Sequence, residues 1–149
     1  MNFNRQDYVF VVGKTARTKE ETTELVAKVN KLIEDVKNDT KETYVTITTY
    51  NATVSKEFFC VPVAEFETLT NGIFSSRAKK SCFAQAMLET MADLGKAFSD
   101  MKEEERSANI VVFTEADAAD NVSDAETLDL FAEAKTTQEL IYSWHFATL

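Results

Sequence analysis

Two short runs of consecutive apolar, mostly β-branched residues limit the folds open to this chain. The runs are Tyr8-Val9-Phe10-Val11-Val12 and Ile110-Val111-Val112-Phe113. Successive side chains of a strand point to opposite faces of the sheet, so a strand without polar alternation is buried on both faces. Both runs are too short to cross a bilayer as helices. They therefore predict central strands of a sheet that is covered on both sides.

Amphipathic segments separate the strand-like runs, as they do where helices connect parallel strands. The first helix is predicted from the N-cap residue Thr18 to about Lys37, because apolar residues recur there at helical spacing. A second helix is predicted to begin near Ser81, and Ser123 or Asp124 is predicted to cap a third.

Three further β-rich segments complete the pattern. Segments 43–50 and 53–61 flank Asn51-Ala52 and predict a hairpin, and segment 139–148 predicts a final strand. The predicted order is β-α-β-β-α-β-α-β. We expect a single α/β domain over residues 1–149, with a doubly wound, mostly parallel sheet, one antiparallel edge strand and helices on both faces.

Charge and cysteine content exclude several classes of function. The formal net charge of −9 opposes binding to nucleic acid and to anionic membranes through bulk charge. Two cysteines, Cys60 and Cys82, do not form a disulfide framework, and the polar first residues lack the pattern of a signal peptide. We therefore expect a cytoplasmic protein that binds neither nucleic acid nor membrane.

The carboxyl ends of the strands are where an open sheet of this kind binds ligands. Three loops are expected to meet there: 13–18, 79–81 and 114–117. The sequence Gly13-Lys14-Thr15 lacks the upstream glycine of a phosphate-binding loop, because Tyr8 stands at that position. Nucleotide binding is therefore not expected.

Four basic residues lie in or near these loops. If they face one edge close to helix N-termini, they could hold an anion or a partner's carboxylates; a solvated basic rim is the alternative. These residues are Lys14, Arg17, Lys79 and Lys80.

Catalytic constellations are missing from the sequence. His145 is the only histidine, and no nucleophile lies near it, which removes Ser-His-Asp and Cys-His schemes. The acidic run Glu115, Asp117, Asp120 and Asp124 is more typical of loop and cap positions than of an acid–base pair. We expect that the chain is not an enzyme.

The ordered set of segments resembles the von Willebrand factor A (vWA) domain family, of the small, stand-alone bacterial type. The first strand and its loop are similar to the family's strand-Asp-x-Ser-x-Ser segment. Residues 81–86 fall where the family has Thr-Ala-Leu-x-Asp-Ala, and residues 110–116 fall on its strand ending in Thr-Asp-Gly. The resemblance spans nearly the whole chain. It implies a truncated, Rossmann-like vWA fold and a binding or scaffolding role rather than catalysis.

Members of the family bind a divalent cation, usually magnesium, in a metal-ion-dependent adhesion site built from two Asp, two Ser and a Thr. The matching positions here hold Gly13 for the first Asp, Thr15 and Arg17 for the two Ser, Ser81 for the Thr and Glu115 for the later Asp. A carboxylate and a hydroxyl are thereby lost and a guanidinium is gained, which opposes binding of a hard cation. We expect a degenerate adhesion site with no metal and no cofactor.

The resemblance therefore implies a protein-interaction module without a bridging metal. Its expected contact residues are Lys14, Thr15, Arg17, Ser81 and Glu115. Arg17 is expected to replace the charge of the metal, either by pairing with Glu115 or by binding a partner's carboxylate directly.

Two alternatives remain open. The first is a protein binder that depends on Mg²⁺, with Thr15, Ser81, Glu115 and Asp117 as rearranged ligands. The second is a structural or oligomerising domain, because the exposed hairpin edge could pair between subunits. We therefore expect either a monomer or a weak homodimer.

Overall fold

The computed structural model describes residues 1–115 and 119–149. The chain forms strand β1 (Asn2–Gly13), helix α1 (Lys19–Lys37), strands β2 (Glu42–Tyr50) and β3 (Val54–Pro62), helix α2 (Phe83–Ser99), strand β4 (Ser107–Thr114), helix α3 (Ala125–Ile141) and strand β5 (His145–Thr148). The strands form one five-stranded sheet in the order β3-β2-β1-β4-β5. β1 is parallel to β2 and β4, β4 is parallel to β5, and β2 and β3 are antiparallel. The predicted doubly wound, mostly parallel sheet is confirmed.

The central strand β1 explains why its sequence lacks polar alternation. Phe10 and Val12 pack on one face against the apolar side of α1. Val9 and Val11 pack on the other face against α2, with Phe131 of α3 joining that layer. Both faces of β1 are thus covered by helices, as the sequence predicts.

Helix ends are capped largely as the sequence predicts. Thr18 accepts a hydrogen bond from the Glu21 N–H, and the Glu21 side chain accepts one from the Thr18 N–H. This reciprocal pair is a capping box. Asp124 caps α3 by accepting from the Thr127 N–H. Among the described residues, none of the helices is both long and apolar enough to cross a membrane.

β1 begins earlier than the apolar run indicates, at Asn2 rather than at Tyr8. Arg5, Gln6 and Asp7 in its first half are polar but buried, because their side chains are paired or hydrogen-bonded. Arg5 Nε lies 3.0 Å from Asp7 Oδ2. Gln6 Nε2 donates to Thr43 Oγ1 at 2.7 Å. Hydrogen-bonded polar side chains can be buried in a strand, and hydrophobicity alone does not reveal such a segment.

The edge strand β3 pairs irregularly with β2. Ile47 lies opposite Phe58, whereas Thr48 lies opposite Lys56, so that Glu57 is an extra residue in the ladder. The register shifts a second time between the pairs Ile47–Phe58 and Val45–Val61. Cys60, which lies in β3 between these pairs, adopts a left-handed φ of 48°. These features are β-bulges, which disrupt the ladder and redirect side chains.

The predicted final strand over 139–148 is wrong in its first half. Helix α3 continues to Ile141, and β5 begins only at His145. Ser143 ends the helix in a left-handed conformation with φ 57°, and the Trp144 N–H donates to the Gln138 carbonyl. The usual signal for such a helix end is a glycine, which the sequence lacks at this point.

Candidate functional site

A cleft opens at the carboxyl ends of the parallel strands. The chain passes from β1 to β2 on one side and later to β4 on the other, so the strand order reverses beside β1. Open α/β sheets bind ligands at such a reversal. The cleft has a volume of about 340 Å³, and its lining includes Gly13, Thr15, Tyr50, Ser81 and Glu115. It therefore contains three of the five contact residues predicted from the sequence.

The Glu115 carboxylate occupies the base of this cleft. Its Oε1 accepts a hydrogen bond from the Gly13 N–H at 2.6 Å, and its Oε2 accepts one from Arg17 Nη2. A Cβ atom at position 13 would lie only 3.1 Å from Glu115 Oε1. The missing side chain of Gly13 thus leaves the space that Glu115 fills.

Arg17 is not among the described residues that line the cleft and is engaged by its own chain. Its Nη2 pairs with Glu115, as the sequence predicts, and its Nη1 donates to the Phe74 carbonyl at 3.0 Å. Only 10% of its side chain is exposed. The guanidinium is thus engaged within its own chain, and the other expectation, that Arg17 binds a partner's carboxylate directly, stays a prediction.

Backbone contacts and a polar side chain shape the walls of the cleft. Thr15 forms a bridge with Ser75 that ties the loop after β1 to the segment before α2. Ser81 donates its hydroxyl to the Ala119 carbonyl and its N–H to Asn121 Oδ1. Asn121 Nδ2 donates to the Lys79 carbonyl at 3.1 Å. Asn121 joins the two loops, and sequence reasoning missed it because the contact spans about 40 positions.

Asp120, one residue of the acidic run, has a structural role in capping α2. It lies outside α2 yet caps that helix, because Oδ2 accepts from the Ala84 N–H at 2.8 Å. Its Oδ1 accepts from the Val122 and Ser123 N–H groups. Burial pushes its pKa upward, but these backbone hydrogen bonds outweigh burial and hold the pKa below its usual range. Its role is to hold loop and helix together.

Tyr50, the last residue of β2, lines the cleft and is only 2% exposed. Burial raises the pKa of its phenol, the negative charge of Glu115 raises it further, and Arg17 partly offsets the rise. The ring thus stays neutral beside the ion pair. The sequence places it at a strand end but gives no sign that it faces the site.

Three of the four basic residues that could have formed an anion site, Lys14, Arg17 and Lys79, do not converge on one point. Lys79 lines the cleft, whereas Lys14 lines a separate groove together with Glu57 and Phe58. Arg17 faces inward. The nearby N-termini of α1 and α2 are capped by Thr18 and by Asp120. The arrangement does not favour an anion site, since its charges are dispersed and its helix ends are occupied.

Thr15, Ser81 and Glu115, three candidate metal ligands, share the cleft. The fourth candidate, Asp117, lies outside the described residues. Both oxygens of Glu115 already accept hydrogen bonds. Within the described ranges, no three His, Cys, Asp or Glu side chains come together as a metal-binding group.

No protein-family model and no curated protein matches the sequence. Among solved structures, the crystal structure of the SpRpn10 VWA domain is similar, with a TM-score of 0.45 and 9% sequence identity over 97% of this chain and 87% of that chain. A similarity at this level does not by itself assign a family or a function.

Proposed function

We propose that this chain is a protein-interaction module of the vWA type, which binds its partner at the carboxyl ends of the parallel strands without a bridging metal ion. The observation that carries the proposal is the Arg17–Glu115 ion pair at the base of the cleft. The guanidinium supplies the positive charge that a divalent ion supplies in an adhesion site of this family. The resemblance in sequence supports the same kind of function.

Electrostatics favours the metal-free form. A divalent ion at Glu115 would have to displace the guanidinium of Arg17, whose side chain is only 10% exposed, along with the Gly13 N–H. Magnesium loses its hydration water reluctantly and requires near-octahedral oxygen ligands. Glu115 is the only carboxylate in the described lining of the cleft, whereas the adhesion site of this family supplies two.

Binding fits the cleft better than catalysis. The only histidine, His145, is exposed in β5 and is not part of the cleft lining. A hydroxyl nucleophile needs an adjacent base. The carboxylate of Glu115, the nearest candidate, is held by Arg17 and Gly13.

The proposal predicts that cleft residues, and not Arg17, contact the partner. Lys79 is exposed on the cleft wall, so Lys79→Glu reverses a charge there while keeping the fold. The matched control is Lys28→Glu on the exposed side of α1. We expect Lys79→Glu to abolish partner capture in pull-downs from the source cells and Lys28→Glu to leave it intact, with or without EDTA. Equal capture by both variants would refute the proposal.

The alternative is a binder that depends on a divalent ion. The observation in its favour is that Thr15, Ser81 and Glu115 line one cleft. Calorimetric titration with Mg²⁺ and Mn²⁺ separates the two functions. The metal-free proposal predicts no binding heat and no thermal shift, whereas saturable binding that disappears in Glu115→Ala would establish the alternative.

A further inference from the structure

A second concave surface lies on the α1 side of the sheet. It is a groove of about 530 Å³ between β3 and the segment 65–73, and Lys14 connects it to the loop that forms the cleft. Its floor is apolar and includes Phe58, Phe66 and Leu69. Phe58 remains 37% exposed although its ring lies 4.8 Å from that of Phe66. The groove thus presents one accessible aromatic ring, that of Phe58, above the buried Phe66 and Leu69.

The first bulge in β3 builds one wall of the groove. Regular alternation would direct Glu57 and Phe58 to opposite faces of the sheet. Because Glu57 is the extra residue of the bulge, both side chains line the same groove. The Thr49 hydroxyl donates to Glu57 Oε1 at 2.8 Å and fixes the carboxylate.

The opposite wall is held by α1. Asn30 donates its side-chain amide to the Leu69 carbonyl and accepts from the Leu69 N–H, at 3.0 and 2.8 Å. Lys37 Nζ donates to the Phe66 carbonyl at 2.8 Å. Since both walls are fixed in the free protein, a ligand in the groove need not order them on binding.

The rim of the groove is acidic. Glu57, Glu65 and Glu67 line it and are exposed. In the part of the chain that the structure describes, none of the three forms an ion pair with a Lys or Arg side chain. Lys14 is the one basic residue in the described lining, so negative charge predominates.

We propose that this groove binds a basic, extended segment of the partner protein, with Lys or Arg next to a bulky apolar residue. This inference rests on the proposed function and names the chemistry of the partner. The apolar residue and the aliphatic stems of the basic side chains would cover Phe58, while the cationic groups would pair with Glu57, Glu65 and Glu67.

A library of ten-residue peptides with randomised positions tests the proposal. The immobilised full chain should enrich sequences with Lys or Arg beside Leu, Phe or Trp. The double variant Glu65→Lys/Glu67→Lys should lose at least tenfold in affinity for an enriched peptide. The matched control, Glu103→Lys/Glu104→Lys, changes net charge equally at exposed positions outside the groove and should bind as the unaltered chain does.

The possible outcomes distinguish failure of the groove inference from failure of the proposed function. Enrichment of acidic peptides, no enrichment, or equal loss in both double variants would overturn the basic-segment proposal. If Glu65→Lys/Glu67→Lys still captures the cellular partner while Lys79→Glu does not, the proposed function stands and the groove inference falls. If neither substitution affects capture of the partner, both fall.

Discussion

Removing the guanidinium of Arg17 should destabilise the fold measurably, although this residue lies in a loop at the expected binding edge. Arg17 and Glu115 side chains are 10% and 21% exposed. Removing one partner of a buried ion pair typically costs about 3–5 kcal/mol, because the other charge is left uncompensated. Glu115 keeps the Gly13 N–H and some contact with water, so we expect about 2–3 kcal/mol for Arg17→Ala. In a domain of this size, the melting temperature should fall by about 4–12 °C.

Urea denaturation followed by Trp144 fluorescence measures this loss, since Trp144 is the only tryptophan and is 5% exposed. The midpoint should fall while the slope stays constant. The control is Lys31→Ala. The side chains of Lys31 and Asp35 are 76% and 61% exposed, so their ion pair should contribute about 0–1 kcal/mol. Glu115→Gln in the Arg17→Ala background should restore part of the stability, because the unpaired charge is removed. If Arg17→Ala lowers the free energy of unfolding no more than Lys31→Ala does, the Arg17–Glu115 ion pair does not stabilise the fold as reasoned above.

Three further predictions concern neighbouring residues. Gly13→Ala should cost about 1–2 kcal/mol in urea denaturation, because its Cβ would crowd Glu115 Oε1, and the cost should shrink in a Glu115→Ala background, where only the contacts with the Tyr50 ring remain. Asp120→Ala should cost about 1 kcal/mol near neutral pH through lost capping. Because the pKa of Asp120 is lowered in the folded state, its carboxylate stabilises the fold above the ordinary pKa of about 4, and this stabilisation is lost as pH falls through the folded pKa. The difference in unfolding free energy between the unaltered chain and Asp120→Ala should therefore vanish at low pH. A difference that does not change with pH would contradict the capping role of Asp120. The pKa values of Tyr8, Tyr44 and Tyr50 are all raised, so Tyr50→Phe should remove one tyrosine from the late part of the ultraviolet titration. The raised pKa of Tyr50 also predicts a loss of stability as pH rises above about 10. An unchanged titration curve for the variant would refute the titration prediction.

The sequence predicts the elements whose signals are local. The apolar run at Tyr8 identifies the central strand because burial on both faces leaves no polar alternation. Thr18 and Glu21 mark the start of α1 because the capping box needs only residues within four positions. The loops at the carboxyl edge follow from the order of the elements, and the cleft contains Thr15, Ser81 and Glu115 as expected.

Features that depend on distant contacts are not predictable in this way. Asp120 caps α2 although it lies 36 residues downstream of Ala84, so the sequence near the start of α2 does not indicate this cap. Ser143 ends α3 in a left-handed conformation without the glycine that usually marks such an end. The directions in which the Lys14 and Arg17 side chains point depend on contacts with the segment 74–78 and with the groove. These contacts cannot be inferred from the sequence of the loop itself.

The contact between position 13 and Glu115 also limits how this edge can change by successive substitution. Asp at position 13, introduced alone, would set two carboxylates against each other in the space that Glu115 fills. Removing Arg17 alone would leave Glu115 without its counter-charge. Each single step toward a cation-binding edge is therefore expected to lower stability, and only coordinated replacement at these positions avoids the loss. Evolution or protein engineering that changes these positions one at a time would therefore pass through less stable intermediates.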